Sequence, residues 1–312
     1  MKAGYLAAVL SVAALCSSFE LKAQSVEFLR TIDFAKGSKD RGIASLIFGA
    51  KQDKGMKPGA LCRIDRDRFA ITDAVNGAMF IVGNDGKIQK RISHAGKIKL
   101  ISPVAVCRND ESHLFVADSA RGVVFEYDAD YKFLEVFLTP ENSRITGLVF
   151  SRGEFFCIDT PNHRILCFGK DGALIKSFGC RGSGDGEFNF PTHIAADDEY
   201  IYVTDALNFR VQIFDFGGDF IRTFGNTGRG GGNFSKPKGI AVDKNKRVFV
   251  ADAEFDNVQI FNFKGEFLYH LGGPGHMDGE FWLPSGVMVD ADGSIWVADT
   301  YNTRIQIFRI VE

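Results

Sequence analysis

At 312 residues, with 45% hydrophobic and 24% charged residues and a mean hydropathy of −0.03, the chain has the composition of an ordinary globular protein, not of a disordered or fibrous one. A formal charge of −2 exerts no electrostatic pull on a phosphate backbone, so nucleic acid is not an expected partner. Beyond the N-terminus no run of 18 apolar residues occurs, and no transmembrane segment is expected.

In chain order, the first element is a basic start at Lys2, an apolar run from Leu6 to Leu15, and small residues after it. The run is too short for a spanning helix and predicts a cleaved signal peptide over residues 1–23, cut after Ala23 or alternatively after Ser18. Cys16 offers a lipid-anchor alternative, although Leu15 is bulkier than such a site usually has before its cysteine. The expected localisation is therefore exported, periplasmic or extracellular. Cleavage removes Lys2, Lys22 and Glu20 and moves the formal charge from −2 to −3. It also leaves Cys62, Cys107, Cys157, Cys167 and Cys180, an odd set that argues against a full disulfide framework.

From Pro58 onward the chain repeats itself. Pro237-Lys238-Gly239-Ile240-Ala241-Val242-Asp243 recurs as Pro191-Thr192-His193-Ile194-Ala195-Ala196-Asp197 and as Pro284-Ser285-Gly286-Val287-Met288-Val289-Asp290, more loosely from Pro58 and Pro103, and without the proline from Ile145. The starts at 58, 103, 145, 191, 237 and 284 are separated by 45, 42, 46, 46 and 47 residues. A second landmark keeps the same period: an apolar run ending in Asp73, Asp118, Asp159, Asp205, Asp252 and Asp299. A polar turn, a third apolar run, a glycine turn and a fourth run follow. Four short strands per unit without helical periodicity predict an all-β, six-bladed β-propeller with four antiparallel strands per blade. The last unit stops after its third strand, and Phe28-Leu29-Arg30-Thr31-Ile32 is spelled like the fourth strand Phe220-Ile221-Arg222-Thr223-Phe224. This N-terminal strand is expected to close the ring; Ile43–Phe48 is the competing candidate.

Three inter-blade loops share one spelling. Phe178, Gly179, Gly182, Gly186, Phe188 and Pro191 recur as Phe224, Gly225, Gly228, Gly232, Phe234 and Pro237, and as Leu271, Gly272, Gly275, Gly279, Phe281 and Pro284. Together with the Asp-x-x-Asn-x-Arg turns at 159–164, 205–210 and 299–304, this pattern resembles the NHL-repeat family, secreted bacterial type, over residues 26–312; blades 1 and 2 match loosely. The resemblance implies a binding or interaction module, as NHL propellers commonly are. An RNA-binding face, known in some members, is disfavoured by the signal peptide and the charge. The peptidyl-α-hydroxyglycine α-amidating lyase has this fold with a histidine-held zinc, so the resemblance also raises a lyase or hydrolase alternative.

The residues themselves argue against a metal. A zinc site needs about three convergent ligands, and only His193 sits at an innermost strand start, where the other blades have Ala60, Ala105, Gly147, Gly239 and Gly286. Neither metal nor other cofactor is expected, and no catalytic set is visible. Gly182–Gly186 opens no helix and is a structural loop, not a phosphate cradle. The repeated Asp and Arg164, Arg210 and Arg304 are expected to brace turns. Cys157 and Cys167 flank the 159–164 turn symmetrically about Asn162, which would allow a disulfide, while Val203 with Ile213 at the same positions speaks for buried apolar sites. The loops that gather on one face around the channel present His163, Phe209, Phe255 and Tyr301 from the strand 2–3 turns. They also present Arg181, His193, Arg229, Lys238 and Trp282 from the connections between blades. Aromatic residues in polar turns suit a peptide, glycan or protein partner, held by a monomeric protein.

Overall fold

The computed structural model describes residues 25–34 and 55–311; the signal-peptide reading and the Ile43–Phe48 alternative lie outside them. The repeat's apolar runs form six sheets of four antiparallel strands, their second and third strands buried on both faces between neighbouring blades. Blade I holds β2 (Leu61–Arg63), β3 (Arg68–Asp73), β4 (Ala78–Gly83) and β5 (Ile88–Ile92), and a small hairpin of β6 (His94–Ala95) and β7 (Ile98–Lys99) leads onward. Blade II holds β8 (Pro103–Arg108), β9 (Leu114–Asp118), β10 (Val123–Tyr127) and β11 (Phe133–Leu138). Blade III holds β12 (Ile145–Ser151), β13 (Glu154–Asp159), β14 (Arg164–Phe168) and β15 (Leu174–Phe178). Blade IV holds β16 (Pro191–Ala196), β17 (Tyr200–Asp205), β18 (Arg210–Asp215) and β19 (Phe220–Phe224). Blade V holds β20 (Pro237–Val242), β21 (Val248–Asp252), β22 (Asn257–Phe261) and β23 (Phe267–Leu271). Blade VI combines β24 (Val287–Val289), β25 (Ser294–Asp299) and β26 (Arg304–Val311) with β1 (Ser25–Asp33).

The expected ring closure is present: β1 lies antiparallel to β26, with Phe28 opposite Phe308 and Ile32 opposite Ile305. Ile32 is buried, and Arg30 and Arg63 both sit against the Trp296 ring, at 5.7 and 4.6 Å, so the closing strand is tied to blades VI and I together. No helix among the described residues is long and apolar enough to cross a membrane.

The core is a ring of six apolar clusters, one between each pair of neighbouring blades. Phe188, Phe234 and Phe281, from the three glycine-rich loops, are fully buried in three of them. Each ring lies where a side chain on Gly179, Gly225 or Gly272 would have to go: a Cβ there would sit 2.5, 2.4 or 2.2 Å from the phenyl carbons, at φ of +88, +90 and +79°. The glycines thus serve both a left-handed turn and the plug.

The Asp159–Arg164 pairing sets the register of β13 and β14, and it corrects the symmetry assumed for the two cysteines. Four residues lie between Asp159 and Arg164, so Cys157 faces Leu166 and Cys167 faces Phe156. The thiols project into different clusters on opposite faces of blade III and are free.

Deleting residues 24–34 will expose the β26 edge and strip Ile32 from the core. We expect a melting temperature lower by roughly 10 °C or more, at about 2–4 °C per kcal/mol for a chain of this order, together with self-association through the bare edge. Calorimetry and light scattering on the truncated protein check both; unchanged melting and a clean monomer would refute the closure.

Candidate functional site

Each second strand ends in a fully buried aspartate. Its carboxylate accepts backbone N–H groups of the loop entering the blade: Lys57 to Asp73 (2.9 Å), Ile101 and Ser102 to Asp118, Arg144 to Asp159, Asn189 to Asp205, Ser235 and Lys236 to Asp252, and Trp282 to Asp299. In blades III, IV and VI the turn's Asn and Arg also reach back to it, with Arg164, Arg210 and Arg304 Nε at 2.9, 2.8 and 2.7 Å. The expected bracing role of these Asp and Arg residues is what the structure contains. Burial nevertheless pushes the Asp205 carboxyl above its ordinary range, against the pull of Asn189, Asn208 and Arg210.

Because every strand-end aspartate grips the loop beside it, the loops and turns converge on one face around the central channel. The first residues of the inner strands line a cavity of about 290 Å³ there. Its walls include Thr72, Thr146, Thr192, Ser285 and Thr300, the apolar Ala74, Val75 and Val104, and the side chains of Lys57, His193 and Lys238. Below it the channel narrows to about 70 Å³. Glycines make that approach possible: a Cβ on Gly239 would lie 2.1 Å from the Ser285 carbonyl, and one on Gly286 2.1 Å from that of Gly59. His193 is the one bulky side chain at this level of the ring. Its Nδ1 lies 3.0 Å from Thr192 Oγ1, and burial first, then the Lys238 ammonium, hold its imidazole down at about 3.

The residues expected to bind divide into three groups. His193 and Lys238 meet at the cavity. Trp282 and Tyr301, 46% and 47% exposed, meet at its rim with ring centroids 5.5 Å apart, and His276 stands edge-on to Trp282 at 5.2 Å. His163 and Phe209 instead occupy left-handed positions at the ends of short 3-10 turns, which swing their rings back into the blade seams. His163 is only 6% exposed, takes the Phe190 N–H on Nδ1 (3.1 Å) and packs edge-on to Phe190, while Phe209 joins the cluster between blades IV and V. His163 is thus buried where an exposed contact was expected, and Phe209 is half-buried. Phe255 is half-buried and gives its N–H to Asp252; Arg181 and Arg229 are exposed in the glycine loops and join neither group.

Lys57 is the residue that sequence reasoning missed. It precedes the repeat, yet it lines the cavity, and its ammonium donates to the Tyr301 carbonyl (3.2 Å) and lies 4.9 Å from the Tyr301 ring centroid. It links the cavity to the aromatic rim. Three of the five cavity hydroxyls, Thr146, Thr192 and Ser285, sit at the residue after a unit's first position.

The opposite mouth, about 300 Å³, is lined by the far ends of the inner strands, with Cys62, Cys107, Arg63 and Arg108. Burial pushes the Cys62 thiol up to about 12, so it is no nucleophile at neutral pH.

The NHL repeat family matches residues 281–308, and a family described as 6-bladed beta-propeller matches residues 195–248. No curated protein matches the chain. Among solved structures, a streptogramin B lyase aligns with a TM-score of 0.62 at 10% identity, covering 92% of this chain and 98% of that one. A gluconolactonase from Xanthomonas campestris aligns at 0.63 and 14%, covering 83% and 88%. An auxiliary nutrient binding protein from Bacteroides thetaiotaomicron aligns at 0.65 and 12%, covering 83% and 70%. At these identities the likeness is one of fold.

A histidine whose folded value lies below its unfolded one favours the folded state above the unfolded value and loses that contribution as pH falls. His193 stays neutral to about pH 3, against 6.5 for the free ring. Wild-type stability should therefore fall relative to H193Q as pH drops from 6.5 toward 3 and run parallel to it above 6.5. Denaturant midpoints of both proteins across that range measure the difference; parallel curves throughout would show His193 to be solvated like a free imidazole.

Proposed function

We propose that this NHL-repeat-bearing six-bladed propeller is an exported binding module that holds a peptide, glycan or protein partner on the loop face around its channel. The observation that carries this reading is the exposed Trp282–Tyr301 pair at the lip of the cavity, joined to it by Lys57. Apolar rings of this size are costly to leave in water and serve as anchors in interfaces. They stand on rigid ground, because Trp282 N–H is fixed by Asp299 and Tyr301 N–H by the Trp282 carbonyl.

The alternative, a propeller-type lyase or hydrolase working at the channel mouth, draws on the His193 and Lys238 side chains that share the cavity. General acid–base work favours a group that titrates near the operating pH, and an imidazole held at about 3 is a weak base at neutral pH. The solved neighbours include enzymes and a nutrient-binding protein, so the shared fold leaves this choice to the residues.

A peptide and glycan array on the mature protein identifies the partner, and W282A and Y301A then test the face. Each should weaken binding roughly tenfold or more while leaving the melting temperature nearly unchanged, since exposed positions contribute within about 0.5 kcal/mol. F209A should do the reverse, costing about 1–3 kcal/mol of stability without touching affinity. Unaltered binding by both W282A and Y301A would move the site off this face, and turnover of the captured partner would favour the enzyme.

A further inference from the structure

Among the described residues the cavity lining has two lysines and no carboxylate. Of its fourteen lining residues none is Asp or Glu, yet Lys57 and Lys238 both reach it. Elsewhere more exposed lysines are paired, Lys87 with Asp85, Lys132 with Asp130 and Lys170 with Asp110, and so is the half-buried Lys246, with Glu199. Lys238 makes no ion pair or side-chain hydrogen bond to any described residue. The strand-end carboxylates of blades I and V cannot compensate from behind. Asp73 is engaged by the N–H groups of Lys57, Val75 and Asn76, and Asp252 by those of Ser235, Lys236, Glu254 and Phe255. Desolvation, followed by repulsion from Lys236, draws the Lys238 ammonium below its ordinary value, so the unpaired charge is held against its own preference.

We propose, on the reading of this face as a binding site, that the cavity takes a small organic acid, its carboxylate paired with the Lys238 ammonium beside His193 and its apolar part lying on Ala74, Val75 and Val104. The ligand's size follows from the space: about 290 Å³, at roughly 30 Å³ per water-sized group, admits about ten non-hydrogen atoms. Its head group follows from the donors. Phosphate sites gather arginine forks or a fan of backbone N–H groups, and the cavity lining has no arginine. Its hydroxyl protons are largely engaged: Thr300 Oγ1 donates to the Pro58 carbonyl (2.8 Å) and Thr146 Oγ1 bonds Thr160 Oγ1. With the Lys57 ammonium engaged by Tyr301, the unpaired Lys238 ammonium and a neutral imidazole remain, a set that suits a monoanion.

The test uses the mature protein, with the His193 ring resonances read by NMR while sodium benzoate, benzamide or inorganic phosphate is added. Benzoate should shift His193 saturably with a Kd on the order of 1 mM, and benzamide, of the same shape without the charge, should bind at least roughly tenfold more weakly. K238M should lose benzoate binding by a similar factor. Without ligand it should melt at or above the wild-type temperature, because the uncompensated cation is gone. W282A should bind benzoate as wild type does, which separates the cavity from the aromatic rim. Equal binding of benzoate and benzamide, preference for phosphate, full benzoate affinity in K238M, or no saturable shift by benzoate would each overturn the carboxylate assignment. Loss of array-identified partner binding in W282A and Y301A would still uphold the face itself.

Discussion

A buried carboxylate at the end of each second strand organises this molecule. A charge fully withdrawn from water must be matched by donors, and here the donors are backbone N–H groups of the incoming loop together with backbone N–H groups or Asn and Arg side chains of the blade's own turn. Each aspartate except Asp118, which holds only the incoming loop, thereby fixes the connection arriving from the previous blade against the turn of its own blade. Charge-assisted hydrogen bonds contribute about 1.5–3 kcal/mol each, and removing one carboxylate would leave two to four donors unmatched. The geometry of the loop face, and hence of the cavity and its aromatic lip, is set by these six residues more than by any contact among the loops themselves.

Blades IV, V and VI add a second lock that the first three lack. Gln212, Gln259 and Gln306, buried in the third strands, accept from Gly186, Gly232 and Gly279 N–H at 3.0, 2.8 and 2.8 Å. Each returns a bond to the carbonyl of Glu187, Asn233 or Glu280. The corresponding residues of blades I to III are Phe80, Phe125 and Leu166, and the loops entering blades II and III lack the glycine spelling. Loop spelling and third-strand glutamine are therefore one device. Half of the ring is defined by polar reading of a loop backbone, the other half by apolar packing.

The blade count, the strand-end aspartates and the closing strand were legible in the sequence because each rests on spacing, and spacing survives folding unchanged. What spacing could not convey is the hand and length of a turn. His163 and Phe209 follow three-residue 3-10 turns in left-handed backbone, a conformation seldom adopted by aromatic residues, and the ring direction reverses with it. The same four-residue insertion displaced Cys157 from Cys167 by one position, which in a strand means the opposite face. Lys57 was invisible for another reason: it belongs to no repeat, and only the closure of blade VI onto blade I brings it to Tyr301.

That closure has a kinetic meaning. β1 and β26 pair segments far apart in the chain, Asp33 with Arg304 and Ser25 with Val311, the widest sequence separation among the described strands. Loop-closure entropy opposes such pairing until the intervening blades have condensed and brought the ends together. The ring consequently seals last, as one event, and blade VI keeps an open edge through all the steps before it. Until then the chain is vulnerable to strand exchange with another copy; afterwards no blade can be peeled away without first undoing the seam.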